Sequence, residues 1–335
     1  MPSTDFPTDP SLGNAPSWPV LVGAPVWACS HWAHDVYPTG TARKHWLAWY
    51  SRHFNTVEGN STFYAVPSQD VFEQWADRSA PGFQFCLKFP RVISHERTLV
   101  DCEIELREFC ERLEILAKAD RLGPTFLQLG PSFGPDRLPV LTRFVASLPR
   151  EFPWAVEVRH PGWFGGGSKS KSPSDSHAVS VVDPQHWSDS EKRLHELLAT
   201  QQIDRVVFDS RALFQLPPDD PIEVVSQQRK PRVPVRPMVS GSRPMIRVVG
   251  RNRIELAKRF LDGWAPLVHA WLQQGLSPIV FLHAPDDRFA PELAREFLRS
   301  LQNAAPDGED IDLRIRDLGD LEANDPSDNQ LRLFG

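Results

Sequence analysis

Polar side chains follow most of the apolar runs in this sequence, at the position where each run ends. Glu58 closes the run FNTVE, and Glu157 lies within the run WAVEVR. Carboxylates act as general acids and bases when neighbouring groups separate their pKa values. The candidate catalytic residues are Glu58, Glu157, His160 and Asp209.

Basic residues occupy the same kind of position. Lys88 closes the run FQFCLK, and Arg159, Arg211 and Arg247 lie near the ends of later runs. Because the guanidinium fork matches a carboxylate or a phosphate group, several such cations around one mouth favour an anionic ligand. The candidate substrate-binding residues are Asn60, Tyr64, Lys88, Gln128, Arg159, Trp163, Arg247 and His283.

The same set could also bind a metal ion. The carboxylates Glu58, Glu157 and Asp209, together with His160 and His283, offer the oxygen and nitrogen ligands of a divalent metal site. The surrounding cations argue against a dedicated metal cage. No residue is therefore assigned as a metal ligand, no cofactor is predicted, and a divalent metal remains an alternative.

Each of these residues also has a purely structural explanation. A glutamate at a strand end is often solvated, and Glu157 with Arg159 could form a structural ion pair. Lys88 could be a surface lysine, and His160 could fix its loop by a hydrogen bond. The functional interpretation depends on convergence, because so many polar groups are costly to bury without partners.

Strands and helices must position these residues, and the sequence shows short apolar runs that alternate with helical patterns. The runs are short and apolar, as expected of parallel strands that are buried on both faces. The eight predicted strands are Trp18–Gly23, Phe54–Glu58, Phe83–Lys88, Pro124–Leu129, Trp154–Arg159, Arg205–Ser210, Pro244–Gly250 and Pro278–His283. This count predicts an α/β fold with a single (β/α)8 TIM-type barrel over residues 19–303. The alternative is a doubly wound sheet, but no GxGxxG motif follows the first run.

Helical periodicity fills most of the intervals between these runs. The predicted helices are Ala42–His53, Ser68–Arg78, Leu99–Leu122, Leu138–Leu148, Ser190–Thr200, Ile254–Gln273 and Pro291–Leu301. Residues 216–244 are rich in proline and arginine, and we predict a loop there.

Strand parity indicates which side chains enter the barrel. Side chains alternate between two faces, so Lys88 shares a face with Cys86, and Glu157 shares one with Ala155 and Arg159. The intervening apolar residues are expected to pack against helices. Because chemistry collects at the carboxyl ends of the strands in this fold, the polar residues are predicted to meet at one mouth.

Composition excludes several other classes of protein. The 335 residues carry a net charge of −6, so no overall basic field favours nucleic acid or a membrane surface. No apolar run approaches the ~20 residues that span a bilayer. The four cysteines lack metal-type CxxC spacing, which predicts a reduced, cytoplasmic location. Residues 1–18 are predicted to be a disordered tail, and residues 165–190, which include GGGSKSKSPSDS, a flexible insertion.

Five segments of the sequence are similar to those of the DUF72 family, which is also called YecE-like: VGAPVWACSHW, FNTVEGNSTFY, LKFPRVISH, LQLGPSFGPD and VEVRHPGWF. The resemblance spans residues 20–300 and implies a TIM-type barrel, in agreement with the strand count. It implies no particular reaction. The family pattern falls on Glu58, Asn60, Ser61, Thr62, Phe63, Tyr64, Lys88, Gln128, Glu157, Arg159, His160 and Trp163.

An acidic stretch, residues 304–329, precedes the pentapeptide QLRLF. Gln330, Leu331, Leu333 and Phe334 resemble the motif with which bacterial proteins insert a glutamine and a Leu-Phe pair into the DNA sliding clamp. The resemblance implies the clamp as a partner, and the alternatives are packing on the barrel or a chance match. Tethering to a clamp would compensate for the weak DNA affinity of an acidic chain.

Three functions fit the sequence. The first is an enzyme, of hydrolase or lyase type, that acts by acid/base chemistry on a small anionic or phosphate-bearing substrate at the carboxyl mouth of the barrel. The second is a metal-dependent phosphoesterase that resembles barrel endonucleases. The third is a non-catalytic binding module that is recruited to a sliding clamp. No membrane partner is expected.

Overall fold

The computed structural model describes residues 19–165, 177–179 and 181–306. The predicted tail 1–18, the stretch 166–176 of the predicted insertion and the pentapeptide Gln330–Phe334 lie outside the described residues. Of the helices in the described ranges, none is long and apolar enough to cross a membrane.

Eight short parallel strands form the centre of the molecule. They are β1 Leu21–Ala24, β2 Thr56–Gly59, β3 Gln84–Leu87, β4 Thr125–Gln128, β5 Trp154–Glu157, β6 Asp204–Asp209, β7 Met245–Val249 and β8 Ile279–His283. Their order in the sheet is β3-β2-β1-β8-β7-β6-β5-β4. Backbone bridges from Phe85 to Leu122 and from Lys88 to Phe126 bring β3 beside β4, so the barrel is nearly closed. The predicted TIM-type barrel is thus confirmed.

Helices surround this barrel. The α-helices are α1 Trp46–His53, α2 Ser61–Tyr64, α3 Gln69–Arg78, α4 Glu103–Lys118, α5 Leu138–Ala146, α6 Asp189–Thr200, α7 Arg211–Phe214, α8 Pro221–Arg229, α9 Ile254–Gln273 and α10 Ala290–Ala304. Single 3₁₀ turns lie at Ser30–Trp32, Arg43–His45, Pro135–Arg137, Pro161–Phe164, Pro184–His186 and Asp287–Phe289. A π-helix follows β3 at Val92–Glu96.

The strands alternate between an interior and an exterior apolar layer. The buried side chains that fill the barrel are Leu21, Cys86, Phe126, Ala155, Val206, Met245, Ile279 and Phe281. A much larger cluster lies between the strands and the helices, and it includes Phe85, Leu87 and Val156. The parity predicted for Lys88 and Glu157 therefore agrees with the structure, since Cys86 and Ala155 face the interior.

Two departures from the predicted elements bear on the site. The long helix expected over Leu99–Leu122 is shorter, because Thr98, Leu99 and Asp101 have positive φ angles that a right-handed helix cannot contain. The region 216–244, predicted to be a loop, contains helix α8.

The part of the predicted insertion that the structure describes contacts the barrel's helices. Pro184–His186 forms a 3₁₀ turn, and the N–H group of Val179 donates to the carbonyl oxygen of Gly263 at 3.4 Å. Helix α6 begins at Asp189, where Ser188 and Glu191 form a capping box.

Candidate functional site

A buried arginine lies at the centre of the barrel's carboxyl mouth. Arg247 projects from β7 between Glu58 on β2 and Glu157 on β5, and all three side chains are at most 3% exposed. Arg247 donates to Glu58 through Nε at 2.7 Å and through Nη2 at 2.6 Å. Its Nη1 donates to Glu157 Oε2 at 2.5 Å. Three strands that are distant in sequence are thereby joined by charge-assisted hydrogen bonds.

Three more polar residues complete this floor. His283, at the end of β8, lies with Nε2 at 2.9 Å from Glu58 Oε2. Asn60 donates to the other oxygen of Glu58 at 2.8 Å. Gln128 Oε1 accepts from Arg247 at 3.4 Å. The carboxylate of Glu58 thus has partners on both oxygens, which fixes its orientation.

The environment keeps both glutamates ionised. Burial alone would raise the pKa of Glu58, but the charge of Arg247 and then that of His283 hold it well below the usual range. Burial opposes ionisation of Glu157 as well, yet Arg159 and Arg247 lower its pKa to about 2. Two carboxylates that are already ionised and paired hold the floor in place, and they have no proton to donate near neutral pH.

Lys88 differs from these paired residues. It follows β3, is 8% exposed, and points its ammonium nitrogen at the ring of Phe63, 3.9 Å from the ring centroid. Among the residues that the structure describes, no carboxylate lies within ion-pairing distance of Lys88 Nζ. Burial, followed by the charge of Arg247, lowers the pKa of Lys88 to about 7. The amine is therefore close to half-protonated at neutral pH.

The segment after β2 places an aromatic wall beside this lysine. The hydroxyl of Thr62 donates to the carbonyl oxygen of Lys88 at 2.6 Å, and this bond holds Phe63 over the amine. His95, from the π-helix, packs edge-on against Phe63 at 5.1 Å. Burial and the nearby Lys88 lower the pKa of His95 to about 4, so its imidazole is neutral. Single π-helical turns often occur at functional sites.

Arg159 contributes open hydrogen-bond donors. Its Nε donates to Glu157 at 2.5 Å, and its guanidinium lies 4.8 Å from the ring centroid of Phe208. Its two terminal nitrogens make no hydrogen bond within the described part of the chain. The side chain is 14% exposed, so these donors are not sealed within the core.

Two residues that follow no predicted strand also lie within electrostatic reach of Glu58. Lys230 belongs to the segment between β6 and β7, and its ammonium group makes no ion pair with a described residue. Burial and the charge of Arg247 lower its pKa, and Glu58 opposes that shift. Asp287 is half-buried, and burial raises its pKa while Lys230 opposes the change. Only their position in the folded loops indicates them, because neither ends an apolar run.

Asp209 does not join this cluster, although the sequence predicted it there. Its carboxylate accepts from Trp264 on α9 at 2.8 Å and from the side chain of Arg211. Asp209 shares its strand face with Val207, which packs toward the helices, while Phe208 faces the mouth. Asp209 and Arg211 therefore lie outside the barrel mouth.

Three other predicted residues are placed apart from the floor. His160 caps the turn Pro161–Phe164, since its Nδ1 accepts from the N–H group of Gly162 at 3.0 Å. Trp163 is fully buried and donates to the carbonyl oxygen of Phe133 at 2.8 Å. Tyr64 is 79% exposed at the rim. The contacts of His160 and Trp163 stabilise their loops and do not require a ligand.

The dispersion of these residues affects the metal alternative. His160 and Asp209 point away from Glu58 and Glu157, whose oxygens already accept hydrogen bonds from arginine. In the described ranges, no three His, Cys, Asp or Glu side chains form a group that could hold a metal ion.

A serine also lies near the mouth. Residues 130–134 read GPSFG, which has the letters of the GxSxG nucleophile pattern. Ser132 is exposed, and its hydroxyl makes no hydrogen bond to a histidine of the described ranges. A 3₁₀ turn at Pro135–Arg137 follows it, so the segment is not the sharp strand-to-helix turn on which that pattern depends.

Comparison with known proteins identifies one family. The family described as protein of unknown function DUF72 matches residues 21–172 and 168–310. The UPF0759 protein YecE of Escherichia coli strain K12 is 33% identical over 288 residues, which cover 86% of this chain and 94% of that protein. The UPF0759 protein YunF of Bacillus subtilis strain 168 is 29% identical over 137 residues, or 39% of this chain and 49% of that protein.

Solved structures of similar fold come from the same family. A DUF72 family protein of Enterococcus faecalis V583 has a TM-score of 0.59 and 18% identity, and the match covers 84% of this chain and 97% of that one. A DUF72 family protein of Thermotoga maritima MSB8 has a TM-score of 0.57 and 22% identity, with coverage of 84% and 99%. At these identities the likeness supports the fold alone.

Proposed function

Because this chain belongs to the DUF72 family, whose description assigns no activity, we propose its function from the geometry of its own barrel mouth. The proposal is an acid/base enzyme that acts on a small substrate bearing a carboxylate or a phosphate. Lys88 is the group that transfers the proton, and Arg159 holds the anion beside it.

The unpaired amine of Lys88 carries this proposal. A lysine that is only 8% exposed normally has a carboxylate partner, because an isolated buried charge is costly. Here the carboxylates of Glu58 and Glu157 already form ion pairs with Arg247 and Arg159. The amine of Lys88 is therefore available to a ligand. Its pKa of about 7 suits a group that must take and return protons near neutral pH.

Glu58 and Glu157 have a different role in this mechanism from the acid/base role that the sequence suggested. They hold Arg247 and Arg159, so that the positive ends of these arginines are fixed before substrate binds. A preorganised cationic wall stabilises negative charge that develops on the substrate during proton removal. The neutral amine of Lys88 is the base, and the resulting ammonium group returns the proton to the product.

The test follows exchange of substrate protons with solvent. We would incubate the protein in D₂O with a panel of carboxylate- and phosphate-bearing metabolites and follow loss of C–H signals or conversion by NMR. The wild type is expected to act on at least one compound, and its rate should rise as the pH passes through about 7, where Lys88 loses its proton. Lys88→Met should lower that rate at least about 100-fold, the usual scale of general acid/base catalysis.

Folding does not complicate this test. Lys88→Met replaces a buried amine by an apolar side chain of similar length, so the variant should be at least as stable as the wild type. Lys192→Met, on the exposed surface of α6, is the matched control and should keep the full rate. Turnover that survives in Lys88→Met, or a panel on which the wild type neither acts nor binds, would sink the proposal.

The metal-dependent phosphoesterase is not favoured by this geometry. A metal site needs oxygen and nitrogen ligands that converge with free lone pairs. Here His160 and Asp209 point elsewhere, and both glutamates are bonded to arginines.

The pentapeptide Gln330–Phe334 supports a second proposal, which concerns location and not chemistry. We propose that these residues bind a bacterial DNA sliding clamp. The support is the pattern of one glutamine followed by a Leu-Phe pair on an acidic stretch. The proposal is independent of the barrel mouth and needs its own test.

A further inference from the structure

Helix α8 exposes its apolar residues and buries polar ones. Glu223 is fully buried and Ser226 is 8% exposed, whereas Ile222, Val224 and Val225 are 42%, 38% and 41% exposed. An ordinary surface helix shows the reverse distribution. The helix therefore presents an apolar surface to solvent on the carboxyl side of the barrel.

Polar contacts on the buried side of α8 hold this helix in place. Glu223 forms a buried ion pair with Arg251, which follows β7, and also accepts from the N–H group of Asn252 at 3.0 Å. Gln227 donates to the carbonyl oxygens of Leu213 and Leu216 at 2.8 and 3.1 Å. Because the anchors are polar, the apolar side chains are free to face outward.

An open groove of about 390 Å³ lies beside α8, and Val224 is the exposed apolar residue of the helix that lines it. Its lining consists of the apolar residues Phe214, Pro218 and Val224, the amides of Gln227 and Gln228, and the cations Lys230 and Arg232. Arg232 lies over the ring of Phe214 at 4.1 Å. The lining contains no carboxylate, and neither cation forms an ion pair with any residue that the structure describes. The groove thus combines three apolar residues with two cations that form no ion pair in the described structure.

Two observations connect the groove with the barrel mouth. Phe214 packs against the small cluster of Phe208, Leu213 and Val249. The guanidinium carbon of Arg247 lies 5.6 Å from the ring centroid of Phe208. Lys230 lines the groove and lies within the electrostatic reach of Arg247. Lys230 is thus the residue that the groove and the mouth share, and a ligand that bridges them passes it.

We propose that this groove is a second subsite, which takes the apolar or aromatic body of a ligand whose carboxylate or phosphate is held by Arg159 beside Lys88 at the mouth. The inference rests on the proposed function and adds the substrate class to it. The substrate is an amphiphilic anion with a group of about phenyl size, and inorganic phosphate alone fills only the mouth.

The test compares two probes, inorganic phosphate and phenyl phosphate, by calorimetric titration. Phenyl phosphate should bind the wild type at least about fivefold more tightly, since partial burial of a ring contributes on the order of 1 kcal/mol. Phe214→Ala and Val224→Gln should remove most of that advantage and leave phosphate binding unchanged. Val224 is exposed, so the second variant keeps the test valid if the first is unstable. Ile104→Gln, which is exposed on α4, is the control.

The outcomes separate this inference from the proposed function. Equal affinity for the two probes, with binding of both probes lost in Lys88→Met, would refute the groove subsite but support the anion site at the mouth. Phenyl phosphate binding that depends on Phe214 or Val224 but is unchanged in Lys88→Met would overturn the joined site and the proposed function with it. Binding of neither probe overturns both.

Discussion

Arg247 is the residue on which the floor of the mouth depends. Replacement by methionine would leave Glu58 and Glu157 buried with reduced compensation, and breaking such a pair costs about 3–5 kcal/mol. We expect Arg247→Met to lower the free energy of unfolding in urea at pH 7 by at least about 3 kcal/mol. Arg193→Met, at an exposed position on α6, should change it by less than about 0.5 kcal/mol.

The effect of Arg247→Met should depend on pH in a defined direction. The folded protein lowers the pKa of both glutamates, so their contribution is present above about pH 4.5 and is lost as the pH falls toward 2. In the variant the carboxylates can be protonated more easily, which relieves their burial. The stability gap between wild type and variant should therefore narrow between pH 7 and pH 3. A gap that stays constant over this interval would contradict the charge-based account.

Sequence reasoning found the floor residues but not their pairing. Strand ends predicted Glu58, Glu157 and Arg247 at one mouth, and parity supported Glu157, because a barrel brings all carboxyl ends of its strands together. The pairing depends on distances across the barrel, and the alternation of side chains along a strand gives no such distances. Parity was also uninformative for Asp209, since Val207 and Phe208 make both faces of β6 apolar.

Helix α8 is the element on which the proposed groove depends, and its N-cap offers a way to loosen it. Asp220 Oδ1 accepts from the N–H groups of Ile222 and Glu223 at 2.8 and 2.9 Å, and its other oxygen accepts from Asn252. Loss of such a cap costs about 1 kcal/mol. Asp220→Ala should therefore speed hydrogen exchange of the α8 amides by about fivefold, as measured by mass spectrometry.

Two control variants accompany this experiment, one at the same N-cap and one at the N-cap of helix α6. Asp220→Asn retains an accepting oxygen and should keep most of the protection of α8. Ser188→Ala removes the capping box of α6 and should speed exchange in that helix alone. Exchange that rises equally in α8 and in β7 after Asp220→Ala would show that the helix does not open as a separate unit.

The elements that the sequence missed have specific physical causes. Helix α8 was predicted to be a loop because its buried positions are polar, so the usual apolar periodicity is absent. The π-helix Val92–Glu96 lies before residues of positive φ, which the apolar pattern of the long predicted helix did not reveal. Strand positions were easier, because short apolar runs bounded by turn residues have few other structural solutions.

At the scale of the whole molecule, an acidic chain carries a locally cationic mouth. The net charge is −6, yet Lys88, Lys230 and the terminal nitrogens of Arg159 have no carboxylate partner in the described structure. Unpaired cations beside apolar walls in a cleft focus the field and draw in ligands of the opposite charge. The acidic exterior would at the same time disfavour long nucleic acids, whose affinity depends on many phosphate contacts. This balance favours a small anionic substrate.

Recruitment to a DNA sliding clamp is a property that we expect of the full chain and not of the barrel. The intact protein should bind an immobilised bacterial sliding clamp in surface plasmon resonance, because Gln330 and the pair Leu333 and Phe334 resemble the side chains of a clamp-binding motif. Removal of residues 330–335, or alanine at both Leu333 and Phe334, should reduce that binding at least about tenfold, since loss of two apolar anchors costs more than about 1.4 kcal/mol. Lys88→Met should bind the clamp like the wild type, because the motif and the mouth act separately. Equal binding by the full and the shortened chains would refute the motif.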